Sequence, residues 1–281
     1  MRLSVLILLI GLILTLGASA DESTGVRIND KNELSGKLVI TGSSTVAPLV
    51  SEIAKRFEAQ HTDVRIDVQM GGSSRGISDV REGISDIGMA SRSLKENEGD
   101  LFAFPIAFDG ITIIVHKDNP VTELPDELII SIYTGKITTW KEVGGNNAPI
   151  TVVNKAEGRA TLELFLEHFR LKNSEIKPHV IIGDNEQGVK TIAGNQNAIG
   201  YVSIGTAEYD STIGIPIKLL PLNGISASIE NVRNGTFPIY RPLNLVTKSP
   251  PEGLIKAFIE YAGSNEVADI IEGQYFVTLS K

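Results

Sequence analysis

The chain has 281 residues, 42% hydrophobic and 21% charged, which supplies the core of one or two globular domains and excludes a disordered or fibrous polypeptide. A net charge of −8 argues against nucleic acid as a partner. With no cysteine, disulfides, thiol catalysis, cysteine-ligated metals and a lipidated cysteine are all excluded.

Residues 1–20 read as a secretory signal. Arg2 precedes an apolar run over 5–16, broken only by Gly11 and Thr15, and Gly17-Ala18-Ser19-Ala20 follows as an A-x-A-like cleavage site. The run is short for a membrane span. The mature chain is expected to start near Asp21, in the periplasm or cell envelope; an uncleaved N-terminal anchor is the alternative. Residues 21–36, rich in Asp, Glu, Ser, Gly and Asn, read as a flexible leader.

An apolar strand over 38–40 then runs into the polar turn Gly42-Ser43-Ser44-Thr45. From Val46 the pattern becomes helical, with Val46, Leu49, Val50, Ile53, Ala54 and Phe57 on one face. Pro48 suits the first helical turn, where its missing N–H costs nothing. A strand feeding such a turn at a helix N-terminus offers an anion free N–H groups, the positive end of the helix dipole and hydroxyl donors. An ordinary capped helix satisfies the same letters.

The pattern repeats. Val64-Arg65-Ile66-Asp67-Val68 alternates as a strand and leads to Gly71-Gly72-Ser73-Ser74-Arg75-Gly76, with Ile77, Val80 and Ile84 on one face of a following helix. Asp86-Ile87-Gly88-Met89-Ala90 reads as a buried strand ending at Ser91-Arg92-Ser93, and residues 111–115 as another strand. A helix is expected over 127–133 and a strand over 150–153. That strand feeds Asn154-Lys155-Ala156-Glu157-Gly158-Arg159-Ala160-Thr161 and a helix with Leu162, Phe165, Leu166 and Phe169 on one side. Strands over 180–182 and 198–202 flank a helix over 184–192; residues 203–215 read as a crossing segment, and helices are expected over 251–262 and 266–272. Strands alternating with helices predict an α/β fold with largely parallel sheets, which bind ligands at the carboxyl ends of their strands. All three polar turns lie there.

Enzyme chemistry finds little support. Neither GxxxxGK[ST] nor GxGxxG occurs, and Ser44 is not in a GxSxG elbow. His61, His116, His168 and His179 are scattered, without HExxH. Asp109, Glu157 and Asp184 lie near the strand ends, but without a partner base they read as hydrogen-bond acceptors or salt-bridge partners.

Six segments in order resemble the periplasmic phosphate-binding proteins of ABC transporters. They are Thr41-Gly42-Ser43-Ser44-Thr45-Val46-Ala47-Pro48, Gly71-Gly72-Ser73-Ser74-Arg75-Gly76, Asp86-Ile87-Gly88-Met89-Ala90-Ser91-Arg92, Tyr133-Thr134-Gly135-Lys136-Ile137-Thr138-Thr139-Trp140, Ala198-Ile199-Gly200-Tyr201-Val202 and Arg241-Pro242-Leu243-Asn244-Leu245-Val246-Thr247-Lys248. The resemblance implies a two-lobe type II periplasmic binding protein fold with mostly parallel sheets and a two-stranded hinge. Lobe one would be 37–110 plus 220–281, and lobe two 111–219. The implied function is an exported, monomeric receptor that binds inorganic phosphate between the lobes and delivers it to a membrane ABC permease, with no catalysis and no cofactor. The alternatives are a receptor for another tetrahedral oxyanion (sulfate, molybdate) or a secreted phosphate-ester hydrolase.

The resemblance also assigns ligand-binding positions: Ser44, Thr45 and Val46 in the first turn, Ser73 or Ser74 in the second, Ser91 after the third strand, and Lys155, Arg159, Ala160 and Thr161 in the third turn. Positions 92, 159 and 160 depart from the family pattern, Ala160 standing where a second glycine is usual. Arg159 stands where a serine is usual. Arg92 stands where many members carry an aspartate that accepts the proton of hydrogen phosphate. Arg92, Lys155 and Arg159 would together make the cleft unusually cationic.

Overall fold

The apolar run at 38–40 lies inside β1 (Gly36–Gly42), and the helical periodicity after it is α1 (Ala47–Gln60), which buries Leu49, Val50, Ile53, Ala54 and Phe57. The computed structural model describes residues 34–279; the expected signal and all of the leader before residue 34 lie outside them. The second unit is β2 (Val64–Met70), α2 (Ser73–Glu82) and β3 (Ile87–Ala90). α2 ends earlier than the apolar spacing suggests, because Gly83 caps it in the left-handed region at φ 75° and leaves Ile84 exposed.

β4 (Phe102–His116) follows, then α3 (Asp126–Tyr133), β5 (Thr151–Lys155), α4 (Ala160–Phe169), β6 (Val180–Ile182), α5 (Asn185–Ala193) and β7 (Ala198–Ser203). The segment expected to cross between lobes instead holds α6 (Ile204–Thr212), started by Ser203, whose hydroxyl accepts from the Thr206 N–H. β8 (Ile217–Leu219), α7 (Ile229–Arg233), β9 (Tyr240–Thr247), α8 (Gly253–Ala262) and α9 (Ala268–Gly273) complete the order.

The strands run β2-β1-β3-β9-β4-β7-β5-β6, with β8 also on β4. Parallel ladders join β1 to β2 and β3, and β5 to β6 and β7. The antiparallel ladders gather on β4 and β9: β9 pairs with β3 and β4, and β4 with β7 and β8. β4 therefore serves both halves, its first part paired with β9 and residues 111–116 with β7 and β8.

Two large apolar clusters lie on either side of this strand. One gathers side chains of β1, α1, β3, β9 and α8, such as Ile40, Leu49, Met89, Leu245 and Phe258. The other holds Ile113, Tyr133, Trp140, Phe165 and Tyr201. Residues 220–239, expected with the first half, pack with the second: Leu220, Leu222, Val232, Phe237 and Ile239 are buried in its cluster. Their spacing follows neither a strand nor a long helix, and what holds them is local, such as the Thr112 hydroxyl donating to the Leu220 carbonyl at 2.9 Å. The second half thus runs over 111–239. The two crossings lie side by side, Gly110 opposite Tyr240, with the Ile111 N–H donating to the Ile239 carbonyl at 3.0 Å. A third strand of chain ties in beside them: Val277 and Phe108 exchange backbone hydrogen bonds of 2.8 and 2.9 Å.

Candidate functional site

The first polar turn is held by Ser43. Its hydroxyl accepts from the N–H groups of Thr45 (3.2 Å) and Val46 (3.3 Å) and donates to Ser91 Oγ at 3.0 Å. Gly42 sits at φ 136°, and a Cβ there would lie 2.3 Å from the Met89 carbonyl, so only glycine lets β1 turn this close to β3. The second turn reaches the same place through Ser73, whose buried hydroxyl accepts from the Ser91 N–H at 3.1 Å. Ser74 faces elsewhere. Its N–H donates to the Gly158 carbonyl at 3.2 Å and its hydroxyl to Glu163 at 3.1 Å, fastening the second turn to the third.

Arg241, at the start of β9, joins these groups. Its side chain is fully buried and pairs with the equally buried Asp109, Nη2 to Oδ2 at 2.7 Å and Nε to Oδ2 at 3.1 Å. The remaining N–H groups fan out to hydroxyls of both halves: Ser91 Oγ at 3.2 Å, Thr45 Oγ1 at 3.3 Å and Thr161 Oγ1 at 3.0 Å. The other oxygen of Asp109 accepts from Ser203 Oγ at 2.9 Å and the Gly205 N–H at 3.3 Å. Both carboxylate oxygens are thus satisfied, and Asp109 serves to hold the guanidinium in place.

Lys155 ends β5 with its side chain buried, its Nζ donating to Asn185 Oδ1 at 2.9 Å. The Asn185 amide in turn donates to Thr45 Oγ1 at 3.2 Å, across the two halves. Burial first, then the charge of Arg241, lowers the Lys155 ammonium to about 7; Asp184 opposes the shift and Arg159 adds to it. Ala160 and Thr161 are buried in the first turn of α4, where backbone N–H groups have no partner within the helix. Arg159 caps that helix through its backbone. Its side chain lies against Gly72, with Nη2 toward Gly183, and its Nε is buried without a partner.

Of the expected positions, Thr45, Ser73, Ser91, Lys155 and Thr161 thus meet in one buried network, and Ala160 lies beside them. Ser44 is half-buried and lines an adjoining cavity of about 510 Å³ with Thr45, Asn185 and Thr206. The Val46 N–H is taken by Ser43. Arg92 departs from its expected place: its guanidinium grips Glu98 at 2.7 and 2.9 Å, and its Nε lies 2.9 Å from Glu163 in an ion pair too poorly aligned for a hydrogen bond. Lys95 reaches the same Glu163 oxygen at 2.8 Å. Burial would raise the Glu98 carboxyl, but Arg92 and the Lys95 N–H hold it below its ordinary value. Arg92 is therefore neutralised by two carboxylates and adds no free charge to the cleft.

From the sequence, Ser43, Asn185 and Arg241 receive no site role, and Asp109 reads as an acceptor or salt-bridge partner without a named partner. A partial signal was present: Asp109 and Arg241 are the one carboxylate and the one guanidinium in β4 and β9, and the structure pairs them in register. The histidines take structural posts, His179 and His116 accepting from the N–H groups of Val152 and Asp118 at 3.0 and 3.2 Å. Among the described residues no group of His, Asp and Glu is placed to hold a metal ion.

Two α/β halves joined by adjacent crossings, with hydroxyls of both gathered by one buried arginine and a buried lysine in the same network, define a solute-binding protein whose cleft suits an anion. The comparisons agree. A PBP superfamily domain matches residues 28–266. The phosphate-binding protein PstS of Bacillus subtilis is 31% identical over 255 residues, covering 89% of this chain and 83% of that one. A substrate-binding protein from Clostridium perfringens, solved with bound phosphate, is 36% identical with a TM-score of 0.79, over 87% of this chain and all of that one (100%). An ABC-type phosphate transport receptor from Vibrio cholerae is 30% identical with a TM-score of 0.72, over 86% of this chain and 100% of that one. The chain belongs to the PBP superfamily and, within it, to the phosphate-binding proteins of ABC transporters.

Proposed function

We propose that this protein is an exported receptor that binds inorganic phosphate in the cleft between residues 36–110 plus 240–279 and residues 111–239, and delivers it to a membrane ABC permease. The observation that carries the reading is Arg241, whose one guanidinium collects the hydroxyls of Thr45 and Ser91 from one half and Thr161 from the other. A tetrahedral oxyanion suits such a set, because each oxygen accepts from a different direction and charge-assisted bonds to arginine are strong. Ser73 and the first-turn N–H groups of α4 supply further donors, Ser43 shapes the first turn, and Lys155 supplies charge. The halves would open and close about the crossings at Gly110 and Tyr240, and the permease would read the closed form. Binding alone needs no nucleophile or general base, and this reading assigns none.

Calorimetric titration of ligand-stripped protein with phosphate, sulfate, arsenate and molybdate tests the reading. Phosphate should bind in the micromolar range or tighter and raise the melting temperature as it saturates the protein. Sulfate or molybdate binding more tightly than phosphate would reassign the ligand. No heat and no melting shift with any of them would overturn the function, and turnover of a phosphate ester would make the protein an enzyme.

A further inference from the structure

The cations around the cleft differ in how they are matched. Arg241 has Asp109 at 2.7 Å, and Arg92 has Glu98 at 2.7 Å and Glu163 at 2.9 Å. Lys155 is 3% exposed, and among the described residues the one hydrogen-bond acceptor of its ammonium is the uncharged Asn185 amide at 2.9 Å.

The charged groups facing Lys155 come from three elements: Arg241 on β9, Arg159 at the start of α4, and Asp184 before α5. Arg241, though paired with Asp109, still acts on Lys155 as a like charge. Asp184 is engaged as a helix cap, its Oδ1 accepting from the Gln187 N–H at 2.8 Å. Arg159 adds positive charge, and Tyr201 meets the Lys155 backbone N–H with a neutral hydroxyl at 3.3 Å. The surroundings therefore lack a counter-charge committed to Lys155.

Lys155 belongs to the second half, and part of its cover comes from the first. From that half the Arg241 charge on β9 acts on the Lys155 ammonium, and Thr45 accepts from Asn185, the residue that holds Nζ. Bringing the halves together thus removes water from an ammonium that the protein leaves unpaired, a costly step.

We propose that Lys155 is the residue that couples closure to charge: it holds the empty halves apart, and an anion releases them by providing the missing negative charge. This rests on the reading of the cleft as an anion site that opens and closes. It assigns Lys155 a second role, selection for charge, since a neutral molecule of the same shape would leave the ammonium unpaired in the closed form. The sign of the pH dependence follows. Burial and the Arg241 charge lower the Lys155 ammonium to about 7 in this structure, and an opened, hydrated cleft would return it toward its ordinary 10.5. Closing the empty protein therefore releases a proton between these values. It is opposed fully below about pH 7 and becomes easier as pH rises toward 10.5.

The test uses distance measurements between two labels on the mature chain. The chain has no cysteine, so Glu82→Cys on α2 and Glu167→Cys on α4 give unique sites on opposite halves. Distances are recorded with and without phosphate at pH 6.5 and pH 10, for the otherwise unchanged chain and for Lys155→Met, Lys155→Gln and Lys155→Arg. The unchanged chain should be open when empty at pH 6.5, close with phosphate, and shift toward the short distance when empty at pH 10. Lys155→Met and Lys155→Gln should raise the closed-to-open ratio of empty protein by about tenfold or more at pH 6.5, while Lys155→Arg stays open at both pH values. Empty Lys155→Met or Lys155→Gln as open as the unchanged chain, or an unchanged chain whose empty form ignores pH, overturns the proposal. Should neither neutral variant fold, the pH comparison on the unchanged chain against Lys155→Arg still decides. A chain that neither closes nor gives heat with phosphate instead defeats the functional reading beneath it.

Discussion

Asp109 and Arg241 stand opposite each other on neighbouring strands, both side chains fully buried, with 2.7 Å between carboxylate and guanidinium. The pair joins stability to binding, because the same guanidinium that neutralises Asp109 reaches across to Thr161 of the other half. Removing one partner strands a charge in the core, whereas removing both leaves an apolar gap.

Arg241→Met should therefore destabilise the protein by about 3–5 kcal/mol in denaturant unfolding. The double variant Arg241→Met/Asp109→Leu should recover much of that loss and still fail to bind phosphate. Phosphate affinity in the double variant equal to that of the unchanged chain would remove Arg241 from the site.

Gly72 sets how closely the second and third turns approach. It sits at φ 98°, and a Cβ there would lie 2.8 Å from the Gly158 carbonyl, which itself accepts from the Ser74 N–H. Gly72→Ala should strain the turn by about 1–2 kcal/mol and keep the turns apart. We expect phosphate affinity to fall about tenfold, with circular dichroism unchanged at room temperature. Full affinity would mean that the turns need not meet for binding.

Arg159 tests whether a cation in the third turn takes part. Its Nε is buried without a partner, and its side chain lies across Gly72 toward Gly183. Arg159→Ser keeps the backbone cap and removes the charge. Calorimetry should find phosphate bound several-fold more weakly, with a shallower dependence on salt. Identical affinity and salt dependence would assign the side chain to packing between the turns.

Asp210 offers a pH test away from the cleft. Burial, followed by the charge of Glu186, pushes its carboxyl up to about 6 against the pull of Lys190, and its Oδ2 is buried without a partner. A carboxyl raised by folding favours the native state when protonated. Its ionisation therefore costs stability as pH rises through about 6, and that stability stays lost above. Asp210→Asn should raise the melting temperature at pH 8 and change it little at pH 4. Equal shifts at both pH values would mean that the carboxyl does not titrate as described.

Much of this architecture was legible in the residues. The strand and helix at each polar turn announce themselves by apolar spacing, as Leu38, Ile40, Leu49 and Ile53 do, because period is a local property. Thr45, Ser73 and Ser91 are named through the resemblance of their motifs, and the structure draws their hydroxyls together. What was not legible depends on partners distant in sequence. A family motif gives the position of Arg92, but it cannot tell that Glu98 and Glu163 neutralise it. Arg241 lies in a resembling segment and Asp109 reads as a salt-bridge partner near a strand end, but that they pair with each other shows only once the strands are aligned. Residues 220–239 gave no periodic sign of which core they join, and burial of Leu220, Val232 and Phe237 decides it.

The interleaving of the two halves imposes an order on folding. Residues 111–239 form one uninterrupted stretch, and Val277 alone joins its cluster of buried side chains from outside, so most of that half can form before the rest of the chain is made. The first half cannot. β3 and the start of β4 both require β9, which is synthesised only after the whole of the second half. Until then β3 presents an open edge, the hazard that holding chaperones exist to cover. Arg241 arrives on that last strand, so the anion site comes into being only at the final step. Phosphate should accordingly slow unfolding of the finished protein while leaving its rate of folding unchanged.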